Sequence, residues 1–382
     1  MPDGYAAVET EYDADGSVIA ERYFNTDLEP VLCEKGYHEV RIEYNENRDV
    51  TARTYFDTNG NPVLSTDGYA RVETEYDSEG NIVASLYYNE AGDLMLIPGR
   101  EYAFVRTAEE GSTLTKTYYG TDGEPMVLPD GYATVIQQLD EKGRALEEAY
   151  FDATGEPVLL AGGYHIVRSS YDGEDYPVSV SYFGADGEPV ANTWIGYHRI
   201  DRTYRDWSHY TSEAWFDIHD EPMTRGDTYV RIERDFDDEG DVIAERYYGP
   251  DGKKIALEEG YDEIRQELDE QNRPVRMEYY LGGKPLLMPD GYAAVERDYD
   301  DQGNIVCERY FNEELEPAPC RRGYEVVNRE YDEQGNIIRV TYTDHTGAPM
   351  VSIYGVIGFD RVYDEDGRLI SETGIPAEEP KE

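Results

Sequence analysis

Basic residues are scarce in this chain of 382 residues. It has 34 Lys and Arg against 83 Asp and Glu, which gives a formal net charge of -49. Such a negative field repels phosphate backbones and anionic lipid headgroups, so it argues against a nucleic-acid partner. The same field attracts cations, basic proteins and ligands that carry an amine.

Cysteine is also rare, and its positions exclude a disulfide framework. The three thiols are Cys33, Cys307 and Cys320. Cys33 and Cys320 occupy the same place in the repeat described below, but nine repeats separate them. We therefore expect free or half-buried thiols.

Long apolar runs are missing, and no stretch approaches the roughly 20 residues that a membrane span needs. The sequence therefore predicts no transmembrane segment. Residues 1 to 9 recur unchanged at Met288 to Glu296, so the chain begins like a repeat cut at its boundary. We expect any signal or anchor to lie outside residues 1 to 382.

Catalytic motifs are not found. The sequence has no G-x-S-x-G, H-E-x-x-H, Walker or G-x-G-x-x-G motif, and it has only six histidines. Its carboxylates are so numerous that a chance pair carries no information. The prediction is that this chain is not an enzyme.

Tyrosine, by contrast, is abundant, with 36 residues, and it reveals a repeat. Units spaced 30 to 33 residues apart open with Tyr5, Tyr37, Tyr69, Tyr102, Tyr132, Tyr164, Tyr197, Tyr229, Tyr261, Tyr292 and Tyr324. A period this short means that no single unit can close its own core. The sequence therefore predicts a tandem array in which each unit covers its neighbour.

Inside a unit the apolar residues alternate with period two, which is typical of a half-buried antiparallel strand. A turn such as Tyr12-Asp13-x-x-Gly16 follows, and then a second strand that ends in two adjacent aromatic residues. A second turn precedes a short segment containing proline, which we expect at an edge. The predicted fold is all-β: an elongated β-solenoid or twisted ribbon of stacked β-hairpins with about eleven and a half repeats of roughly 32 residues.

One array is predicted over residues 1 to 373, with a truncated capping unit at 355 to 373. Residues 374 to 382 are predicted to be a polar C-terminal tail. The adjacent aromatic residues at the end of the second strand, such as Tyr23-Phe24, must point to opposite faces of the sheet. The sequence does not say which ring faces the core.

These residues resemble those of known bacterial repeat families. Aromatic-rich tandem hairpins with glycine turns look like the cell-wall and choline-binding repeats and the receptor-binding repeats of clostridial toxins. The Tyr-Asp-x-x-Gly turn at Tyr12 to Gly16 and Tyr76 to Gly80 resembles the YD repeats of Rhs-type proteins. The resemblance implies a non-catalytic, extracellular region of the bacterial cell surface. It implies no ligand residues, because here the opening is Gly-Tyr and tryptophan is rare.

No cofactor is predicted, and weak Ca²⁺ binding by clustered carboxylates is left open. Glu11, Asp13, Asp15 and Gly16 imitate the start of an EF-hand loop, as do the residues from Asp235 to Gly240. The closing glutamate is replaced by Arg22 or Arg246. An aspartate that caps a hairpin turn is the alternative explanation.

One stretch departs from the repeat. All three tryptophans and four of the six histidines lie between residues 165 and 219. Aromatic faces beside Asp, Arg and His can stack on sugars or hold a quaternary amine. The candidate ligand-binding residues are Trp194, His198, Arg205, Trp207, His209 and Tyr210. Alternatively, these rings pack an irregular unit, and Trp215 is expected in the core.

The functional prediction is multivalent binding of a glycan or another cell-wall polymer in aromatic grooves between repeats. An amine-bearing ligand fits the charge as well. Two alternatives remain open: a passive spacer that presents an attached domain, and a solenoid that binds a basic protein. Exposed aromatic residues in every groove favour binding, whereas buried ones favour the spacer.

Overall fold

The structure is a computed structural model that describes residues 4 to 97, 99 to 224 and 228 to 377. Within these ranges the regular backbone is entirely β-strand, with no helix, so the all-β prediction is confirmed. The first twelve strands are β1 Ala7–Tyr12, β2 Val18–Phe24, β3 Glu39–Tyr44, β4 Val50–Phe56, β5 Arg71–Tyr76, β6 Ile82–Tyr88, β7 Phe104–Glu110, β8 Thr113–Tyr119, β9 Thr134–Leu139, β10 Ala145–Phe151, β11 Ile166–Tyr171 and β12 Pro177–Phe183. The others are β13 Arg199–Asp206, β14 His209–Phe216, β15 Arg231–Phe236, β16 Val242–Tyr248, β17 Glu263–Leu268, β18 Pro274–Leu281, β19 Lys284–Pro285, β20 Ala294–Tyr299, β21 Ile305–Phe311, β22 Val326–Tyr331, β23 Ile337–Thr343, β24 Gly358–Tyr363 and β25 Leu369–Ile375.

Apart from the two-residue β19, the described strands follow one another as hairpins, one for each repeat. In the second repeat, β3 pairs antiparallel with β4, and Val40 lies opposite Tyr55. The register shifts between Glu43 and Tyr44, where one extra residue forms a bulge beside the turn. The predicted hairpin with a bulge is confirmed.

A regular repeat has three turns of similar construction. In the second repeat the residues with positive φ are Arg48, Gly60 and Gly68. The first residue of the middle turn, Asp57, uses its side chain as well: Asp57 Oδ1 accepts the backbone N–H groups of Asn59 and Asn61. Such local hydrogen bonds explain why Asp and Asn precede glycine in these turns.

The segment after the middle turn forms little sheet. It is attached by a single bridge, such as that between Phe56 and Pro62. Proline has no N–H to donate, which limits the pairing, although Leu94 and Lys254 form the same single bridge in other repeats. The prediction that this segment is an edge or a connection is confirmed.

By contact density the chain divides into two compact units. Unit 1 comprises Met1–Ser170 and Val180–His198, and unit 2 comprises Tyr171–Ser179 and Arg199–Glu382. Inside unit 1 the ladder β2–β3 joins the first hairpin to the second. Inside unit 2 the ladder β16–β17 joins the hairpin β15–β16 to the hairpin β17–β18. The last strand, β25, ends at Ile375, within the segment predicted as a tail, and residues 378 to 382 lie outside the described residues.

In several hairpins, the tyrosine of the Tyr-Asp turn forms a hydrogen bond to the preceding hairpin. The hydroxyl of Tyr44 donates to the carbonyl oxygen of Val18 at 2.9 Å, and that of Tyr76 donates to Val50 at 2.8 Å. The same bond in unit 2 joins Tyr331 to Ile305 at 2.9 Å. These rings are called wedge tyrosines below, because each lies against the first residue of the preceding second strand.

Replacing one wedge tyrosine by phenylalanine should weaken this attachment. Tyr331→Phe keeps the ring but loses the hydrogen bond to Ile305, which should cost about 1 kcal/mol. The urea midpoint of unfolding is the measurement. Tyr12→Phe is the matched control, because Tyr12 holds the same place in the first hairpin and is 59% exposed. Equal midpoints for the two variants would contradict the wedge role.

Candidate ligand-binding site

The opening tyrosines and the first rings of the aromatic pairs form rows of ring contacts. In unit 1, Tyr37 packs between Tyr23, at 5.9 Å between ring centroids, and Tyr55, at 4.6 Å. In unit 2, Tyr229 lies in the same way between Trp215 at 5.9 Å and Tyr247 at 5.0 Å. We call each row the aromatic spine of its unit.

The spine is the interior of each unit. Tyr23, Tyr55, Tyr247 and Trp215 are each less than a tenth exposed, and the expectation that Trp215 lies in the core is confirmed. Burial raises the pKa of Tyr37, Tyr292 and Tyr324 to about 12, since an ionised phenol loses its hydration there. In these four pairs the first ring is therefore the core ring.

These shifts predict a loss of stability in alkali. The folded chain favours the neutral phenol, so the stabilisation is present in full below the unfolded pKa of about 10. It decreases as the pH rises from about 10 towards the folded value of about 12. Absorbance at 295 nm during alkaline titration should show a group of tyrosines that ionise only when the circular dichroism of the sheet is lost. Ionisation of all tyrosines near pH 10 while the sheet stays folded would contradict this prediction.

The second ring of a pair lies on the opposite face, and in several pairs an arginine covers it. The guanidinium carbon of Arg199 is 3.7 Å from the ring centroid of Phe216, and that of Arg231 is 3.8 Å from Tyr248. Arg41 covers Phe56 at 4.1 Å. These are cation–π contacts, and the covered rings are half-buried. The recurring rings therefore offer less free aromatic surface than a groove-binding array needs.

Carboxylates complete this second face. Glu263, whose side chain is 2% exposed, contacts Lys254, Arg246 and Arg265. Burial favours the neutral acid, but hydrogen bonds from Lys254 and Arg265 outweigh it and hold the pKa of Glu263 below its usual value. Several basic residues are thus paired with carboxylates on this face, while the chain as a whole keeps a large excess of acidic residues.

Two of the predicted ligand-binding residues belong to unit 1. Trp194 lies on a turn, and its side chain is 73% exposed. His198 is only 3% exposed: its ring packs edge-on against Phe183 at 5.0 Å, and its Nδ1 lies 3.2 Å from the carbonyl oxygen of Val190. His38 and His165 have the same kind of contact with Phe24 and Phe151. His198 is thus placed as a core ring.

The other four residues, Arg205, Trp207, His209 and Tyr210, belong to unit 2. They lie around the turn between β13 and β14. The ring of Trp207 is 69% exposed and lies 5.8 Å from Tyr176, which stacks on Tyr204 at 5.1 Å. We call Tyr176, Tyr204 and Trp207 the ring cluster. Sequence reasoning missed Tyr176 and Tyr204, which look like ordinary repeat tyrosines.

Polar groups lie beside the ring cluster. His209 Nδ1 is 2.6 Å from Asp206 Oδ1, and the imidazole packs on Phe236 at 5.2 Å. Arg205 donates to the backbone carbonyl oxygens of Asp237 and Asp238, the latter at 3.2 Å. Arg205 therefore joins two neighbouring turns.

Tyr210 borders a separate cleft of about 280 Å³. Its ring lies between the guanidinium groups of Arg202 and Arg234, each 5.1 Å from the ring centroid. The cleft is also lined by Ser208, His209 and Phe236. The predicted residues of unit 2 thus come together on neighbouring hairpins, with the exposed indole on one side and the cleft on the other.

The acidic turns that imitate an EF-hand have other partners. Asp13 Oδ1 accepts the backbone N–H groups of Asp15 at 2.9 Å and Ser17 at 2.8 Å, and Glu11 pairs with Arg22 at 2.9 Å. Among the described residues no group of three or more His, Cys, Asp or Glu is placed to hold a metal ion. Weak calcium binding by surface carboxylates stays a prediction.

Comparison with known proteins gives distant matches only. No family model matches the chain, and no curated protein matches it. Among solved structures, the chain is similar to part of a TcdB2–TccC3–Cdc42 complex, with 12% identity and a TM-score of 0.24 over 97% of this chain and 22% of the other. A Photorhabdus luminescens Tc holotoxin pore gives 13% and 0.22 over 96% and 23%. A porin-like protein from Bacteroides uniformis gives 10% and 0.21 over 69% and 84%.

The chain thus spans less than a quarter of the toxin chains that it matches. At these identities and TM-scores the matches carry no information about function, and no family is assigned. Within the described ranges, no helix is both long and apolar enough to cross a bilayer.

Proposed function

We propose that this chain is a non-catalytic, tandem-repeat binding module of the bacterial cell surface, and that it binds a glycan or another cell-wall polymer at the ring cluster of unit 2. The observation that carries the proposal is the exposed indole of Trp207, which packs on Tyr176, a ring that stacks in turn on Tyr204. An aromatic face fixed in this way can stack on a sugar ring without ordering a flexible side chain first.

The polar surroundings of Trp207 support the same ligand class. Asp206, Ser208 and His209 lie within two residues of the indole and offer hydrogen-bond donors and acceptors to hydroxyl groups. The acidic charge of the whole chain disfavours anionic polymers and favours neutral or amine-bearing sugars. Because arginines cover the recurring rings, the proposal concentrates binding in one place instead of in every groove.

A second candidate function is recognition of a basic protein along the acidic surface, which the net charge of -49 favours. Buried and covered rings also suit a spacer that presents an attached domain. The spacer requires no ligand at Trp207.

A binding screen with glycans and cell-wall fractions tests the proposal. Trp207→Ala should weaken saturable binding about tenfold, the loss expected when about 1.4 kcal/mol of stacking is removed. Trp194→Ala is the matched control, because it removes an equally exposed indole from unit 1. A parallel series with a calcium chelator separates a calcium requirement from stacking.

The possible outcomes discriminate between the functions. Binding that both variants retain would contradict the ring-cluster site. No saturable binding to any fraction would favour the spacer, and salt-sensitive binding of basic proteins alone would favour the second candidate.

A further inference from the structure

Two neighbouring hairpins of unit 1 meet without a ladder. At other junctions the first ring residue of a pair donates its N–H across to the next repeat: Tyr55 N–H bonds Ala70 O at 2.9 Å, and Tyr118 N–H bonds Ala133 O at 2.9 Å. In the described part of unit 1 no ladder joins β6 to β7. The sheet of unit 1 is therefore interrupted between its third and fourth hairpins.

The spacing of the repeats does not explain this interruption. Tyr69 and Tyr102 are 33 residues apart, one more than usual, but so are Tyr164 and Tyr197. At the later junction the N–H of Tyr182 still bonds the next repeat, at 3.1 Å. Something else must distinguish the junction between β6 and β7.

The distinguishing feature is a carboxylate at the position of the wedge tyrosine, because a ladder still forms at the junctions where Leu139, Phe236 and Leu268 occupy this position. In β7 the repeat position of Tyr76 is occupied by Glu109, and the Tyr-Asp turn is replaced by a short turn at Gly111. Ile82, which stands where Val50 stands in the preceding hairpin, is consequently 59% exposed. Leu369, at the same place in the final described hairpin, is 52% exposed. The exposure of Ile82 is thus similar to that of the equivalent residue in the final described hairpin.

The missing ring leaves a groove. It has a volume of about 450 Å³, and its lining includes Asp77, Glu79, Ile82, Thr107, Glu109 and Leu114. The two hairpins still touch on either side of it: Thr107 Oγ1 donates to Val83 O at 3.3 Å, and Arg106 pairs with Glu75 at 2.7 Å. Since these contacts hold the strands together, the groove suits a side chain and not an inserted strand.

We propose that this groove docks a tyrosine side chain of another protein, presented by an extended segment with a basic residue beside it. The ring takes the place that wedge tyrosines fill elsewhere, against Ile82 and Leu114, and its hydroxyl donates to the carbonyl of Ile82 as Tyr76 donates to Val50. The basic residue meets Asp77, Glu79 and Glu109, whose charges the net charge of -49 reinforces. This site lies in unit 1 and does not depend on the ring cluster of unit 2.

Calorimetric titration of the full chain with the peptide acetyl-Lys-Val-Tyr-Lys-amide tests this inference. Saturable binding is expected, and it should weaken when phenylalanine replaces the tyrosine or glutamates replace the lysines. Glu109→Tyr should fill the groove and reduce the affinity at least about tenfold. Because this variant introduces the tyrosine that most repeats have at this position, it should also melt at a temperature no lower than that of the parent chain.

The control is Glu110→Tyr, which adds the same ring to the next residue of β7, on the other face of the strand. It should change the affinity less than about twofold. Absence of saturable binding, binding that survives Glu109→Tyr, or an equal loss in both variants would each overturn the proposal.

Discussion

The architecture depends on a single packing constraint: a repeat of this length cannot bury its own aromatic rings. An opening tyrosine such as Tyr37 lies between the first ring of the preceding hairpin and the first ring of its own, at 5.9 and 4.6 Å. Each hairpin therefore completes the core of its neighbour, which is how repeat proteins obtain stability without a central core. The turns and the wedge tyrosines keep this stacking in register.

The same constraint determines where charged side chains pack against the sheet. Once the first ring faces the spine, the second must face the other side of the sheet, where arginines such as Arg199 and Arg231 cover it. The buried Glu263 in turn fixes Arg265, which covers Tyr280 at 4.2 Å. The chain as a whole keeps a net charge of -49, and the most exposed rings among the described residues are the indoles of Trp194 and Trp207.

Sequence reasoning could predict the hairpins, the bulged Asp-Gly turns and the proline edge, because each follows from local periodicity and turn chemistry. It could not assign the two rings of a pair, since alternation separates them without saying which face is the core. Nor could it recognise His198 as a core ring, because that depends on Phe183 of the preceding strand. Glu109 in place of a wedge tyrosine was a readable signal for the groove, but its meaning requires knowing what the tyrosine contacts.

Hydrogen–deuterium exchange of the full chain with a spine ring removed tests the central claim most directly. Tyr261→Ala takes away the ring between Tyr247 and Tyr279, whereas Tyr248→Ala takes away a second ring covered by Arg231. The account predicts that Tyr261→Ala accelerates exchange in the hairpins on both sides, β15–β16 and β17–β18. It predicts a smaller effect, confined to the hairpin β15–β16, for Tyr248→Ala. Equal effects, or faster exchange in one hairpin only after Tyr261→Ala, would contradict a spine shared between repeats.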